Sequence, residues 1–401
     1  MQRSDFLKRT FMAAGGLTAG TIVSNKVQAH VQSTIGLGEP DLSLDALNIF
    51  ELEQLAKERL PQMAYDYYRS GAWDETTLKA NRESYEKLKI HYKILVDVEK
   101  RDLSTTIFGQ HVDFPILVAP TAFHKLAHPD GELATGRAAV KAKTIMTLSS
   151  LSTTTIEEVA EATNKTFWFQ LYINKNREYT RDLVARAEAA GAKALVVTVD
   201  TPLWGRRERD VRNGFHLPPG LSAINLVKYQ QDGIAKGQTG AGLGQSFAWM
   251  LDATLQWKDL DWLASISKLP IVIKGVCRAD DAKIALAHGV KGILVSNHGG
   301  RQMDSAPATI DVLPSIVDAV GNQATVLMDG GIRRGTDVMK ALAQGAKAVL
   351  VGRPVLWGLA AGGQQGVEKA LSMLRDELDL GMALSGCRNL KELNRSLLMK
   401  F

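Results

Sequence analysis

The chain has 401 residues, 45% of them hydrophobic and 23% charged, which is typical of a globular protein with a large core and allows two domains or one long α/β barrel. The formal net charge of +5 is spread along the chain without a long basic block, so we expect no nucleic-acid partner. The only cysteines are Cys277 and Cys387, so we expect no disulfide framework and no bound metal ion. No apolar run is long enough for an ordinary membrane span, so we expect no transmembrane helix.

Residues 1–29 have the order of an export signal. A basic segment at residues 3–9 precedes a small and apolar segment, Phe11–Val23. The basic segment resembles a twin-arginine signal, but Ser4 stands where that signal has its second arginine. We expect a periplasmic or otherwise exported protein if this signal functions, and a cytoplasmic protein with an uncleaved tail if it does not.

The pattern after this segment indicates an α/β protein. Residues 30–44 are expected to be a linker, and Ile49–Gly71 is predicted to be a helical extension in which Pro61 starts a second turn of helix. Eight short apolar runs then alternate with alanine-rich amphipathic stretches, which predicts a single (β/α)8 TIM barrel over residues 45–401. The predicted strands are Pro115–Ala119, Ile145–Leu148, Phe167–Leu171, Ala194–Val199, Pro270–Ile273, Gly292–Val295, Thr325–Met328 and Ala348–Val351.

A long insertion, Leu203–Trp262, separates the fourth predicted strand from the fifth. An insertion of this length in a compact barrel is more often a lid or a binding loop than a passive connection. Its glycine-rich middle, Gly233–Gly244, is polar, so we expect it to be mobile.

Polar or glycine-containing segments follow all eight predicted strands. In a parallel barrel the carboxyl ends of the strands face the active site, so these residues are expected to meet in one place. In chain order they are Thr121 and Ala122, Ser149, Gln170 and Tyr172, Thr198, Asp200 and Arg207, Lys274, Ser296, His298 and Arg301, Asp329, Gly331 and Arg333, and Gly352 and Arg353.

These residues divide by the chemistry they can perform. His298 beside Arg301 suits proton removal from an anionic substrate, and Asp200 is a candidate to orient the imidazole. Glycines and arginines after the last two strands predict a phosphate site. Ser149, Gln170, Thr198 and Lys274 would suit the edge of a flat heterocycle, although Lys274 could instead form a Schiff base. No Gly-x-Gly-x-x-Gly segment follows a strand, so a Rossmann nicotinamide site is not indicated.

The sequence resembles the FMN-dependent L-2-hydroxy acid oxidase family, which includes glycolate oxidases, lactate oxidases and flavocytochrome-type lactate dehydrogenases. The resemblance extends from about Ile49 to the C-terminus, and its most specific part is Ser-Asn-His-Gly-Gly-Arg-Gln at 296–302. Further motifs are Tyr-Asp-Tyr-Tyr at 65–68, Pro-Thr-Ala at 120–122, Phe-Gln-Leu-Tyr at 169–172, Thr-Val-Asp-Thr-Pro at 198–202 and Asp-Gly-Gly-Ile-Arg-Arg-Gly at 329–335.

The resemblance implies FMN as cofactor and a role for each matching residue. His298 would be the catalytic base, paired with Asp200, and Tyr172 would act near the substrate oxygen. Tyr67, Arg207 and Arg301 would hold the substrate carboxylate. The cofactor-binding residues would be Thr121, Ala122, Ser149, Gln170, Thr198, Lys274, Ser296, Asp329, Gly331, Arg333, Gly352 and Arg353.

The implied reaction is oxidation of a small L-2-hydroxy acid to the 2-oxo acid. Ala122 resembles the oxidases, the insertion lacks the apolar character of a membrane-docking segment, and we expect no haem-binding domain before the barrel. We therefore expect O2 as electron acceptor, with H2O2 as product. The export-like N-terminus favours the alternative, which is a dehydrogenase that reduces a quinone or a cytochrome. A lysine-dependent aldolase and a non-catalytic flavin-binding protein are the rivals from other classes.

Leu151 and Phe123 indicate a small apolar pocket, so L-lactate is the first expected substrate and glycolate the second. The family resemblance also implies a homotetramer. Leu398–Phe401 differs from the peroxisomal Ser-Lys-Leu signal, so a peroxisomal location is not expected.

Overall fold

The computed structural model describes residues 44–229 and 250–400. The predicted export signal and residues 30–43 of the predicted linker lie outside the described residues, as does the middle of the insertion, residues 230–249. The predictions about these segments therefore remain predictions. Within the described ranges, no helix is long and apolar enough to cross a membrane, and no group of His, Cys, Asp and Glu residues could hold a metal ion.

Eight parallel strands close into a barrel, which confirms the predicted (β/α)8 fold. The predicted and observed bounds differ most at the fifth barrel strand, which runs three residues beyond Ile273 through an irregularity between Lys274 and Val276. The barrel strands are β4 (Ile116–Val118), β5 (Met146–Ser149), β6 (Phe167–Leu171), β7 (Leu195–Thr198), β8 (Ile271–Val276), β9 (Gly292–Val295), β10 (Thr325–Asp329) and β11 (Ala348–Val351).

Helices surround this barrel, and three of the described helices precede its first strand in the chain. The predicted extension Ile49–Gly71 forms two helices, because Leu60 is extended and Pro61 stands at the start of the second. The helices are α1 (Ile49–Arg59), α2 (Gln62–Arg69), α3 (Thr76–Glu86), α4 (Gly131–Lys141), α5 (Ile156–Ala162), α6 (Arg177–Ala189), α7 (Glu208–Arg212), α8 (Lys258–Ile266), α9 (Ala279–Ala287), α10 (Thr309–Val320), α11 (Gly335–Ala343) and α12 (Arg353–Leu384).

Two short antiparallel strand pairs were not predicted. β1 (Leu88–Ile90) pairs with β12 (Leu398–Lys400), and β2 (Thr105–Ile107) forms a hairpin with β3 (Gln110–Val112). Each of these strands has only three residues, too few to show a period in the sequence. The β2–β3 hairpin closes the amino-terminal end of the barrel, where the ring of Phe108 lies 5.5 Å from that of Trp168.

The barrel interior changes from apolar to polar along β6 and β7. Successive side chains of a strand point to opposite faces, so residues two apart share the interior. Trp168 and Val196 belong to the buried apolar cluster, and Gln170 and Thr198 follow them by two positions toward the carboxyl end. The apolar layer therefore supports a polar layer at the mouth of the barrel.

The segment from α2 to α3 covers part of this mouth. The N–H of Ala72 donates to the carbonyl of Gly300 at 2.8 Å, and the Nδ2 of Asn81 donates to the Oδ1 of Asn297 at 2.9 Å. These bonds join the N-terminal extension to the loop after β9. As a result, Tyr67 and Tyr68 at the end of α2 face the carboxyl ends of the strands.

Candidate active site

The carboxyl end of the barrel contains a cavity, at the place where barrels of this fold bind their ligands. It brings together nearly all the residues predicted for the site; the exceptions are Asp200, which lies behind His298, and Ser296. The predicted residues that line it are Tyr67, Thr121, Ala122, Ser149, Gln170, Tyr172, Thr198, Arg207, Lys274, His298, Arg301, Asp329, Gly331, Arg333, Gly352 and Arg353.

His298 and Asp200 form a hydrogen-bonded pair across two strand ends. The Nδ1 of His298 lies 2.8 Å from the Oδ1 of Asp200. His298 has a φ of 57°, a left-handed conformation that is uncommon for histidine, and the glycines that follow continue it. Gly275 makes room for the pair, because a Cβ at that position would lie 2.7 Å from the second carboxylate oxygen of Asp200. This local backbone places the imidazole against the carboxylate.

The electrostatics of the pair favour a neutral imidazole beside a charged carboxylate. Burial opposes ionisation of Asp200, but the nearby His298 and Lys274 outweigh it and hold the pKa of Asp200 at about 2. Burial lowers the pKa of His298, although Asp200 acts in the opposite direction. At neutral pH the Nδ1–H therefore donates to Asp200. The Nε2 lone pair is free to accept a proton, since no described residue hydrogen-bonds to it.

Arg301 is held by the C-terminal end of α2. Its Nη1 donates to the carbonyl of Tyr67 at 2.6 Å and to that of Ser70 at 3.0 Å, where the helix dipole favours a cation. Its guanidinium carbon also lies 5.0 Å from the centre of the Tyr67 ring. The cation is thus fixed without a carboxylate partner among the described residues.

A second cation and two phenols complete this side of the cavity. Burial lowers the pKa of Arg207 to about 10, so its guanidinium is still charged at neutral pH. Burial raises the pKa values of Tyr67 and Tyr172, so both hydroxyl groups stay protonated and can donate. Two cations and two hydroxyl donors in one cavity form a suitable site for a small carboxylate.

A chain of polar groups crosses the floor of the cavity. The Oγ of Ser149 donates to the Oε1 of Gln170 at 3.2 Å, and the Nε2 of Gln170 donates to the Oγ1 of Thr198 at 3.0 Å. The Nζ of Lys274 lies 3.7 Å from the Oδ2 of Asp329. The Oδ1 of Asp329 is buried and finds no hydrogen-bond partner in the described parts of the chain, as expected of a group that binds a ligand.

Two further arginines lie near the loops after β10 and β11. The Nη1 of Arg333 donates to the carbonyl of Ile332, and Arg353 donates to the carbonyls of Tyr68 and Ser70. Burial lowers the pKa of Arg333 to about 10, which leaves it charged at neutral pH. Within residues 44–229 and 250–400, no carboxylate lies within ion-pair distance of either guanidinium. Two cations without counter-ions, Arg333 buried and Arg353 half-buried, fit a phosphate group.

Three features of the site differ from the sequence-based expectation. Trp204 lines the cavity and was missed, because a tryptophan in a long insertion resembles ordinary packing. Phe123 was expected to line a substrate pocket, and this was wrong: it is fully buried and its ring packs 5.9 Å from that of Tyr67. Leu151, by contrast, does line the cavity. Ser296 is fully buried, and its hydroxyl accepts from the backbone N–H of His298 rather than lining the cavity.

The His298–Asp200 pair lies at the mouth of a closed barrel, with uncompensated cations on the same cavity wall. This arrangement is typical of an enzyme that binds a small anion and a phosphate-bearing cofactor. Residues 56–400 match the FMN-dependent dehydrogenase family, and the chain belongs to that family. The predicted family and the predicted cofactor, FMN, are thereby confirmed.

The chain is similar over most of its length to oxidases of 2-hydroxy acids. It is 55% identical over 356 residues to an L-lactate oxidase of Nostoc sp., covering 88% of this chain and 98% of that protein. It is 50% identical over 353 residues to the glycolate oxidase of Spinacia oleracea, covering 88% and 95%. Among solved structures, a mandelate oxidase with (S)-4-hydroxymandelic acid superposes with a TM-score of 0.83 at 40% identity, covering 89% of this chain and 99% of that one.

Proposed function

We propose that this protein oxidises a small L-2-hydroxy acid, L-lactate first and glycolate second, to the 2-oxo acid. The substrate gives up two electrons and two protons, and O2 takes them up as H2O2. The observation that carries the proposal is the His298–Asp200 pair beside Arg207 and Arg301 in the same cavity. A base next to a carboxylate-binding cluster serves oxidation of a hydroxy acid, whereas flavin binding alone needs neither.

The catalytic base of the proposed reaction is His298. Its neutral imidazole takes a proton from the hydroxy acid at Nε2, and the resulting imidazolium is stabilised by Asp200 across the 2.8 Å hydrogen bond. Arg207, Arg301 and Tyr67 hold the substrate carboxylate, and Tyr172 donates its hydroxyl hydrogen near the substrate oxygen. Bound FMN supplies an acceptor for the electron pair that leaves the substrate.

The residues that hold FMN divide between its phosphate and its ring. Arg333 and Arg353 bind the phosphate with the backbone of Gly331 and Gly352, because these cations line the cavity beside glycine-containing loops. Thr121, Ala122, Ser149, Gln170 and Thr198 line the ring, with Ser296 supporting the neighbouring loop. Lys274 and Asp329 lie at the polar floor of the cavity. The ion pair with Asp329 explains why Lys274 lies at this position, so the alternative role of Lys274 as a Schiff-base nucleophile is not needed.

Two observations support O2 as the electron acceptor. Ala122, the residue that resembles the oxidases, lines the cavity. Two of the similar proteins are named L-lactate oxidase and glycolate oxidase. Reduction of a quinone or a cytochrome is the alternative. The predicted export signal at residues 1–29 favours it. The homotetramer likewise remains a proposal.

Mixing the yellow protein with L-lactate under anaerobic conditions, followed by admission of air, tests the proposal. We expect the flavin absorbance to bleach and then to recover rapidly, with one H2O2 formed per lactate. Slow recovery with fast reduction of a quinone analogue would move the protein to the dehydrogenases. Absence of bleaching with lactate and with glycolate would contradict the proposed substrate class.

Trp204 supports a small substrate. Its ring meets that of Tyr172 edge-on at 5.9 Å and lies 5.9 Å from the guanidinium carbon of Arg207. The loop that carries it is rigid, because Gln302 donates to the carbonyl of Leu203 at 2.9 Å and accepts from the N–H of Gly205 at 2.9 Å. The indole therefore occupies space next to the carboxylate-binding residues and limits the size of the substrate side chain.

Replacing Trp204 by alanine is expected to shift specificity toward larger hydroxy acids. The ratio of kcat/KM for (S)-mandelate to that for L-lactate should rise by about tenfold or more, because the discrimination of pockets by size is of this order. Steady-state kinetics with both substrates measure the ratio. Leu203→Ala, at the exposed neighbouring position, is the matched control and should leave the ratio unchanged. An unaltered ratio in Trp204→Ala would show that another residue sets the size limit.

A further inference from the structure

A buried polar cluster lies behind the cavity wall and is not used by the proposed mechanism. It is formed by His124, Glu132, Thr135, Thr153 and Thr154, each at most 6% exposed, and none of them lines the cavity. We call it the Glu132 cluster. Burying a carboxylate and an imidazole together is costly unless both are fully hydrogen-bonded, so the arrangement of their partners is informative.

Glu132 joins the turn after β4 to the turn after β5. Its carboxylate accepts from the backbone N–H of His124 at 3.1 Å and from that of Thr153 at 2.8 Å. It also accepts from the hydroxyl groups of Thr153 at 2.7 Å and Thr154 at 2.8 Å. These four donors compensate the buried charge, and the two turns are the ones that carry Thr121 and Leu151 into the cavity wall.

The His124 ring lies between two threonine hydroxyl groups. Its Nε2 is 2.5 Å from the Oγ1 of Thr121, and its Nδ1 is 3.0 Å from the Oγ1 of Thr135. Burial lowers the pKa of His124, although Glu132 acts in the opposite direction, so the ring is neutral at pH 7. A neutral imidazole has one N–H donor and one acceptor nitrogen, so it donates to one threonine and accepts from the other.

The His124 ring sets the orientation of both hydroxyl groups. Its contact with Thr121 is the shorter of the two, and the contact of the Thr135 hydroxyl with the carbonyl of Gly131 is longer, at 3.5 Å. The part of the Thr121 hydroxyl group that faces the cavity therefore depends on its hydrogen bond to His124.

We propose that His124 is a positioning residue for FMN: its Nε2 hydrogen-bonds the hydroxyl group of Thr121 and thereby fixes how that hydroxyl group faces the cofactor. This inference rests on the proposed contact between Thr121 and FMN. His124 touches neither substrate nor cofactor and acts through Thr121 alone. The Glu132 cluster keeps the ring in place by holding the backbone of the same turn.

A double-mutant cycle tests the proposal. His124→Leu and Thr121→Val should each weaken the binding of FMN to the apoprotein by about fivefold to tenfold, as expected for one hydrogen bond, and shift the flavin absorption band. Because His124 acts through Thr121, the double variant should bind FMN no more weakly than Thr121→Val. His124→Gln, whose amide offers both a donor and an acceptor to the two threonines, should restore most of the affinity and the band position.

Thr163→Val is the matched control, because it removes a buried hydroxyl group that bonds to the carbonyl of Val159, outside the Glu132 cluster. It should lower Tm and leave the FMN affinity and the absorption band unchanged. The role of His124 is overturned if the two losses multiply in the double variant, or if His124→Leu lowers only Tm while Thr121→Val alters FMN binding. If Thr121→Val changes neither the affinity nor the band, the proposed contact between Thr121 and FMN is wrong, and the inference fails with it.

Discussion

Replacing His298 by alanine is expected to leave FMN bound and to slow its reduction by L-lactate by about a hundredfold to ten-thousandfold, the usual effect of losing a general base. The expectation follows from the free Nε2 of His298 and from the absence of any other described histidine in the cavity wall. The phosphate-binding arginines do not depend on the imidazole, so the cofactor should remain. Anaerobic stopped-flow absorbance measures the reduction rate, and the visible spectrum of the purified protein measures FMN content.

The left-handed backbone at His298 makes a second variant useful. Asparagine tolerates a φ near 57° better than most residues, so His298→Asn should fold as the original does while lacking a base. His111→Ala, at an exposed histidine whose side chain is 63% accessible, is the control and should reduce FMN at the original rate. If His298→Asn retained FMN and lost less than tenfold in rate, another group would be the base.

The fold could be predicted because the signals for its strands are local. Each barrel strand is a short, continuous apolar run such as Gly292–Val295. A helix after each strand brings the chain back so that the next strand is parallel, and eight apolar runs therefore indicate an eight-stranded barrel. The same rule places Asp200 and His298 together, since both follow parallel strands whose carboxyl ends meet at one mouth. Their hydrogen bond at 2.8 Å is what that geometry predicts.

The features that were missed depend on contacts between distant segments with no period or motif of their own. The β2–β3 hairpin covers the barrel because Ile107 and Phe108 happen to reach its amino-terminal end. Trp204 enters the cavity only because Gln302, on another loop, holds both sides of its turn. His124 lies in the turn after β4, but its bonds to Thr121 and Thr135 cannot be read from spacing. Sequence motifs therefore identified the residues that line the cavity better than the residues that hold those side chains in position.

Replacing Asp200 by asparagine is expected to lower kcat/KM by about a hundredfold to several thousandfold, because the imidazolium formed during turnover loses its buried counter-charge, at a cost of about 3–5 kcal/mol. The direction of the pH effect is a sharper test. Activity requires neutral His298, and burial places its pKa below the usual 6.5, so the acid limb of kcat/KM for the original protein should lie below that pH.

Asp200 opposes the effect of burial by raising the pKa of His298, so removing its charge should lower that pKa further. The acid limb of Asp200→Asn should therefore move to lower pH even as the rate on the plateau falls. Profiles of kcat/KM from pH 4 to 9 with L-lactate would measure both effects. Asp66→Asn is the control, because Asp66 bonds to Arg209 and Asn213 at the rim and should leave the limb in place. Removing a neighbouring negative charge can only lower the pKa of a histidine that must be neutral to act. A limb that stayed fixed or moved to higher pH in Asp200→Asn would therefore mean that the titrating group is not His298.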